Sequence, residues 1–189
     1  MFTMSVKTET RTQPRVLDLA YIALMAALLA ICAWITIPFG PVPFTMQTFG
    51  VFAALGLLGG RRGTFAILVY LALGLVGLPV FSGFSGGAGQ LLGPTGGYLI
   101  GFIVAALVFW AVTARFEKPS LPILAGALVL VMVVYYAFGT AWFLQVYTGE
   151  NAGSLMAALT MCVFPYIIPD LIKLALALLV TRRVGPYVH

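Results

Sequence analysis

Six long apolar segments, separated by short boundaries, restrict what this chain of 189 residues can fold into. The segments cover residues 17–37, 45–60, 64–78, 98–114, 121–144 and 154–180. Several approach the ~20 residues that an α-helix needs to cross a bilayer, although the second and third are short. Only 8% of the residues are charged and 62% are hydrophobic, whereas soluble domains carry about 25% charged residues. The chain is therefore predicted to be an all-α integral membrane protein, and a water-soluble globule is excluded.

The basic residues lie at alternate segment boundaries, and this pattern predicts the orientation of the segments. Lysine or arginine occurs before the first segment and after the second, fourth and sixth: Arg11, Arg15, Arg61, Arg62, Arg115, Lys118, Arg182 and Arg183. The other boundaries contain neither residue. Because cytoplasmic loops carry the excess of positive charge, six spans with both termini in the cytoplasm satisfy every loop. We expect a disordered cytoplasmic tail at residues 1–15 and a single six-helix transmembrane domain at residues 16–189.

Two ionisable residues, Asp170 and Lys173, lie one helical turn apart inside the sixth segment. Each charge inside a membrane helix costs about 2.5–3.5 kcal/mol on insertion scales, so such residues usually have a function. Tyr166 shares their stripe, and Pro169 lacks the N–H that would bond the Pro165 carbonyl, which loosens the helix just before Asp170. Nine residues, or ~13 Å, separate Lys173 from the arginines that follow. The pair is predicted near mid-membrane as the floor of a pocket; an ion pair that only locks helix packing is the alternative.

The three boundaries without basic residues are predicted to face outward and to bring further groups to this pocket. Prolines stiffen the first boundary, which delivers Thr45 and Gln47 to the membrane edge. The second, residues 82–97, contains seven glycines and Gln90, and its backbone could close over a ligand. The alternative for this glycine-rich segment is a mobile surface loop without a role. Trp142 lies close to the third boundary.

Small residues mark the first segment. Ala23 and Ala27, like Ala26 and Ala30, are four residues apart, a spacing that lets another helix approach closely. Packing against a partner protein and packing within the chain are equal alternatives for this surface.

Motifs of catalysis are weak in this sequence. Residues 83–87 match the GxSxG pattern of serine hydrolases around Ser85, but a serine nucleophile needs a base within hydrogen-bond reach. The only histidine is the last residue, His189, so we expect no catalytic site, no metal site and no cofactor. No GxxxxGKS/T motif occurs, so uphill transport driven by ATP would need another chain to hydrolyse the nucleotide.

Three motifs together resemble the BioY family, the biotin-binding S components of energy-coupling factor (ECF) vitamin transporters. They are residues 41–47 (PVPFTMQ), 92–102 (LGPTGGYLIGF) and 169–173 (PDLIK), and the resemblance covers essentially the whole chain. It implies a six-helix S-component bundle in a prokaryotic cell membrane that binds biotin from the outside. It also implies docking onto a transmembrane coupling subunit attached to two ABC-type ATPases, although some BioY proteins act without this module and the sequence leaves both modes open. In S components the alanine-rich first helix packs on the coupling subunit.

The resemblance also implies roles for Asp170 and Lys173, which belong to the third motif. The ureido head of biotin has two N–H donors and one carbonyl, so Asp170 would accept from an N–H and Lys173 would donate to the carbonyl. The carboxylate of the vitamin would then lie toward the glycine-rich segment. The opposite orientation, with the carboxylate on Lys173, stays open.

Four further candidates follow from location alone, two as polar contacts and two as apolar walls: Gln47, Gln90, Tyr98 and Trp142. Other functions stay open beside biotin transport. They are an S component for another small vitamin such as riboflavin or thiamine, an intramembrane hydrolase that uses Ser85, and a structural membrane subunit without a ligand.

Overall fold

The computed structural model describes residues 13–38, 42–116, 119–148 and 153–188, with the backbone alone for residues 13–15. Its helices are α1 (Gln13–Trp34), α2 (Gln47–Leu75), α3 (Ala88–Leu92), α4 (Gly96–Thr113), α5 (Leu121–Val146), α6 (Leu155–Cys162) and α7 (Phe164–Val184). Two short strands, β1 (Thr36–Ile37) and β2 (Phe44–Thr45), and 3-10 turns at Ser82–Phe84 and Gly185–Tyr187 complete it. Residues 1–12 of the predicted tail, Lys118 and His189 lie outside the described residues.

Five of these helices, α1, α2, α4, α5 and α7, are long and apolar enough to cross a membrane. The predicted second and third segments both fall within α2, which Gly59 interrupts with φ 75° and ψ 179°, a conformation essentially restricted to glycine. The Gln47 amide nitrogen lies 2.8 Å from the Tyr70 hydroxyl, whereas 23 residues of straight helix would span ~35 Å. Helix α2 therefore folds back at Gly59 into two arms, residues 47–58 and 60–75.

The prediction of one continuous helix over residues 154–180 is wrong. Helix α6 ends at Cys162, and Val163 leaves the helical conformation with φ −123° and ψ −61° before α7 begins. Pro165 lies in the first turn of α7, where backbone N–H groups have no acceptor within the helix, so the N–H that proline lacks is not needed. Pro165 therefore starts a helix, whereas Pro169 lies inside one as expected.

Aromatic side chains hold the bundle together around α2, which packs against α1, α4 and α7, while α4 packs along α5. Phe52, Tyr70 and Tyr135 are at most 2% exposed. The Tyr135 ring lies 5.3 Å from the Phe102 ring and 6.4 Å from the Phe52 ring, measured between centroids. Tyr135 is thereby fixed between α2 and α4.

A short hairpin precedes α2 on the predicted outward side. Strands β1 and β2 are antiparallel, with Thr36 opposite Thr45 and Ile37 opposite Phe44. The extended backbone agrees with the prolines of this boundary, which disfavour helix. Since β2 ends one residue before α2 begins, the hairpin holds Thr45 beside the first turn of that helix.

The glycine-rich segment is anchored rather than loose. The Trp34 indole N–H donates to the Pro79 carbonyl at 2.8 Å, and its ring stacks on Phe84 with centroids 5.1 Å apart. The Gly87 N–H donates to the Gly74 carbonyl at 2.7 Å. These contacts hold the segment against α1 and the end of α2.

Candidate functional site

Asp170 and Lys173 form a buried ion pair on α7. The Lys173 Nζ lies 2.7 Å from the Asp170 Oδ1, and the two residues are only 4% and 3% exposed. Lys173 is nine residues from Phe164 at the start of α7 and nine from Arg182 near its end. Lys173 therefore lies about 13 Å along the helix from both Phe164 and Arg182, and Asp170 lies one turn closer to Phe164.

Four donors surround the Asp170 carboxylate. The Oδ1 atom accepts from the Thr48 hydroxyl at 2.9 Å and from Lys173. The Oδ2 atom accepts from the hydroxyl groups of Tyr135 and Tyr136, at 2.6 and 2.7 Å. Since an ionised carboxylate offers about four acceptor positions, Asp170 is fully satisfied within the protein.

The Lys173 ammonium is equally occupied. Besides Asp170, it donates to the Thr45 carbonyl at 2.6 Å and to the Thr48 hydroxyl at 3.1 Å, and it lies 4.1 Å from the centroid of the Phe44 ring. An ammonium group has three protons, so each has an acceptor. A buried pair is tolerated only with such partners, and the hairpin supplies the backbone one.

A cavity opens directly above this pair, with a void of about 660 Å³ including its mouth. Its polar lining comprises Thr45, Gln47, Thr48, Ser82, Gln90, Thr95, Asp170 and Lys173. Its apolar and aromatic lining comprises Val42, Pro43, Phe81, Tyr98, Leu99, Phe102, Tyr135, Tyr136, Cys162 and Tyr166. Apolar walls with a few convergent polar groups are typical of small-molecule sites.

Of the four residues selected by location, three line this cavity. Gln47 is 6% exposed and donates to Tyr70, Gln90 comes from α3, and Tyr98 shares a hydrogen bond of 3.2 Å with Thr140. The structure does not place Trp142 on the lining. Its indole N–H donates instead to the Gly93 carbonyl at 3.1 Å, which fixes the end of the glycine-rich segment.

Sequence reasoning missed Thr48, Tyr135 and Tyr136, which carry three of the four contacts to Asp170. A signal was present for the tyrosines, because tyrosine in membrane helices favours the interfaces and this pair lies in the middle of α5. No pattern indicated Thr48, because its partner is 122 residues away.

The four alanines of α1 divide between two faces. Ala26 and Ala30 are 2% and 6% exposed and belong to the core. Ala23 and Ala27 are exposed. Only the second pair is thus available to another protein, while the first serves packing within the chain.

Ser85 lacks the surroundings of a nucleophile. Its hydroxyl donates to the Ser82 carbonyl at 2.7 Å within its own turn. No cluster of three metal-ligating side chains occurs in the ranges that the structure describes. The described residues thus form a binding cavity, and neither the Ser85 hydroxyl nor a cluster of metal ligands provides a reactive group for it.

Comparison with known proteins gives consistent matches over nearly the full length. A sequence model of the BioY family matches residues 4–189. The biotin transporter BioY of Thermotoga maritima is 41% identical over 160 residues, which are 85% of this chain and 90% of that protein. The probable biotin transporter BioY of Pyrococcus horikoshii is 38% identical over 166 residues, 88% and 94% of the two chains.

Solved structures lead to the same group of proteins. The crystal structure of the S-component for biotin from an ECF-type ABC transporter superposes with a TM-score of 0.78. The two chains are 30% identical, and the match covers 96% of this chain and 94% of the other.

Proposed function

The chain belongs to the BioY family, and on that premise we propose that it is the biotin-binding membrane subunit of a vitamin uptake system. Relatives named as biotin transporters are 34–47% identical to it. The protein is a transport subunit and not an enzyme. The buried Asp170–Lys173 pair at the base of an aromatic cavity is the observation that carries the proposal for the site.

Biotin binds with its ureido head on the pair. Because Asp170 has no free acceptor position, a ureido N–H takes the place of one tyrosine hydroxyl. Tyr136 is the one that turns away, since it is 9% exposed and Tyr135 is 2% exposed among aromatic rings. Lys173 donates to the ureido carbonyl and gives up its contact with Thr48. Each group thus exchanges one hydrogen bond for another, and no charge loses its partner.

The carboxylate of biotin lies at the other end of the cavity. Lys173 is the only cationic residue on the described lining, and Asp170 already neutralises it. A second carboxylate there would face Asp170 without a free cation, which is unfavourable in a buried site. Ser82, Gln90 and Thr95 at the glycine-rich end offer uncharged donors instead.

The protein crosses the cell membrane six times in this proposal, with the two arms of α2 counted separately and both termini in the cytoplasm. The arms of 12 and 16 residues extend ~18 and ~24 Å, less than a bilayer core of about 30 Å, so the bilayer around them is locally thinned. The positions of Arg61, Arg115 and Arg182 support the orientation. The partners are a transmembrane coupling subunit, which contacts Ala23 and Ala27, and two ABC-type ATPases; the likeness to an ECF S-component supports them.

Two variants test the site. We expect Asp170→Asn and Lys173→Ala each to weaken biotin binding at least tenfold, about 1.4 kcal/mol, in titrations of purified protein. Arg183→Gln, an exposed change at the far end of α7, is the control. Wild-type affinity in both site variants would refute the site.

Identification of the ligand separates the remaining alternatives. Mass spectrometry of the small molecule that co-purifies should find biotin, and riboflavin or thiamine should not compete for binding. Retention of another vitamin would replace the substrate, and labelling of Ser85 by a fluorophosphonate would indicate a hydrolase.

A further inference from the structure

A second cavity lies at the end of the bundle opposite the biotin site, where the arginine-bearing helix ends meet. Its walls come from the turn of α2 at Gly59, the end of α4, the start of α5 and the end of α7. The void is about 1420 Å³ including its mouth. A neighbouring depression shares Pro119, Leu124 and Thr181 with it and reaches Arg182. A sideways opening between the start of α5 and the end of α7 therefore adjoins the cavity.

The interior of this second cavity is largely apolar. Leu55 and Phe109 line it and are at most 1% exposed, and Trp110 and Phe116 add two further aromatic side chains. Such walls suit hydrocarbon, because apolar surface is better covered by an apolar chain than by water.

One polar atom in this wall has no partner. The Thr181 hydroxyl is the only buried side-chain nitrogen or oxygen without a hydrogen bond among the described residues. It lies against Gly56, where a Cβ would overlap it. Buried polar groups are nearly always paired, and this hydroxyl can gain a partner when the Thr181 side chain rotates away from Gly56 toward the cavity.

The charged side chains that the structure describes around the cavity are positive. Arg61 lines it and Arg182 lines the adjoining depression, and both are exposed. Neither forms an ion pair with a described residue, since the two described pairs are Arg62–Asp18 and Lys173–Asp170. No carboxylate occurs on the described lining. Guanidinium groups are suited to a phosphate group, which they can bind with paired hydrogen bonds.

We propose that this cavity binds an anionic phospholipid. Its phosphate is recognised by Arg61, Arg182 and the Thr181 hydroxyl, and an acyl chain leaves through the opening between α5 and α7. The apolar walls and the sideways opening favour a lipid over free phosphate, which could use neither. In the orientation proposed above, these residues face the cytoplasmic leaflet, where anionic lipids attract basic residues.

Native mass spectrometry of the full chain in neutral detergent tests this proposal. Phosphatidylglycerol and phosphatidylcholine with identical acyl chains are added separately, and inorganic phosphate is a third arm. We expect phosphatidylglycerol to be retained and the other two to be lost. Equal retention of the two lipids would overturn the charge recognition, and equally tight binding of phosphate alone would overturn the lipid.

Variants assign the contacts. Arg61→Gln and Arg182→Gln should each weaken retention of phosphatidylglycerol about fivefold, and Arg183→Gln should leave it within about twofold. Thr181→Val should weaken it too, yet should raise the melting temperature of lipid-free protein because the unpaired hydroxyl is gone. Biotin binding should persist in all of them, which shows that they fold and keeps this test independent of the vitamin site.

Two results with these variants would refute the site. One is unchanged lipid retention in the Arg61→Gln, Arg182→Gln double variant. The other is absence of phosphatidylglycerol from the wild-type protein. If the double variant then also failed to assemble with a membrane partner, the cavity would be a protein-docking site.

Discussion

Replacing Asp170 by asparagine should destabilise the protein more than replacing Lys173 by methionine. Asparagine leaves the Lys173 ammonium buried without a counter-ion and puts an amide donor among groups that already donate. Breaking a buried pair in this way costs about 3–5 kcal/mol. Methionine also leaves a buried charge without its counter-ion, but Thr48, Tyr135 and Tyr136 still donate to the carboxylate. These three hydrogen bonds limit the cost to about 1.5–3 kcal/mol.

The difference between the two variants is therefore about 2 kcal/mol, or roughly 30-fold in the unfolding equilibrium. For a chain of this size it corresponds to a difference of about 4–8 °C in melting temperature. Thermal unfolding in neutral detergent without biotin, followed by tryptophan fluorescence, measures it.

The matched control is Asp18→Asn, the same substitution in an ion pair that is 34–38% exposed and has an N–O distance of 3.0 Å. An exposed pair contributes less than about 1 kcal/mol, so this variant should melt near the wild type. Two results would refute this explanation, in which the remaining partners of each buried charge determine stability. One is an equal loss of stability in Asp18→Asn and Asp170→Asn. The other is a lower melting temperature for Lys173→Met than for Asp170→Asn.

Three further predictions concern other parts of the structure. Gly59→Ala should lower the melting temperature, since the backbone conformation there disfavours a side chain by about 1–3 kcal/mol. Gly126→Ala, on the exposed side of α5, should raise the melting temperature slightly, and a shift in the same direction for both variants would contradict this reasoning. Gly139→Ala should weaken biotin binding about tenfold in titrations, because the new methyl group overlaps the Tyr98 ring and overpacking costs about 1–3 kcal/mol; unchanged affinity would show that Tyr98 is not a wall of the site. Biotin should slow labelling of Cys162 by methyl methanethiosulfonate, since this thiol lines the cavity, and an unchanged labelling rate would place the vitamin elsewhere.

The sequence was most informative where a single residue type carries the signal. Charges inside an apolar helix are rare enough that Asp170 and Lys173 could be selected directly, and their side chains do meet. Arg61 and Arg62 predicted a boundary inside what became α2, and the chain reverses there. The family followed from motifs spread over the whole chain.

The sequence was least informative where tertiary contacts decide the outcome. The hairpin before α2 has strands of two residues each, too short for any periodicity. The break at Val163 depends on whether Pro165 lies inside a helix or starts one, and both are compatible with the sequence. Trp142 lies close to the third outward boundary in the sequence and was therefore predicted as a wall of the site, yet its indole N–H donates to Gly93 in the glycine-rich segment.

The complete hydrogen bonding of the Asp170–Lys173 pair has a consequence for hydration inside the bundle. With every proton and acceptor of the pair occupied by the protein, the cavity wall presents no bare charge in the middle of the bundle. Water is then not required there to solvate an ion. The two charges can therefore lie inside the bundle without a shell of water around them, and their cost to the membrane protein falls accordingly.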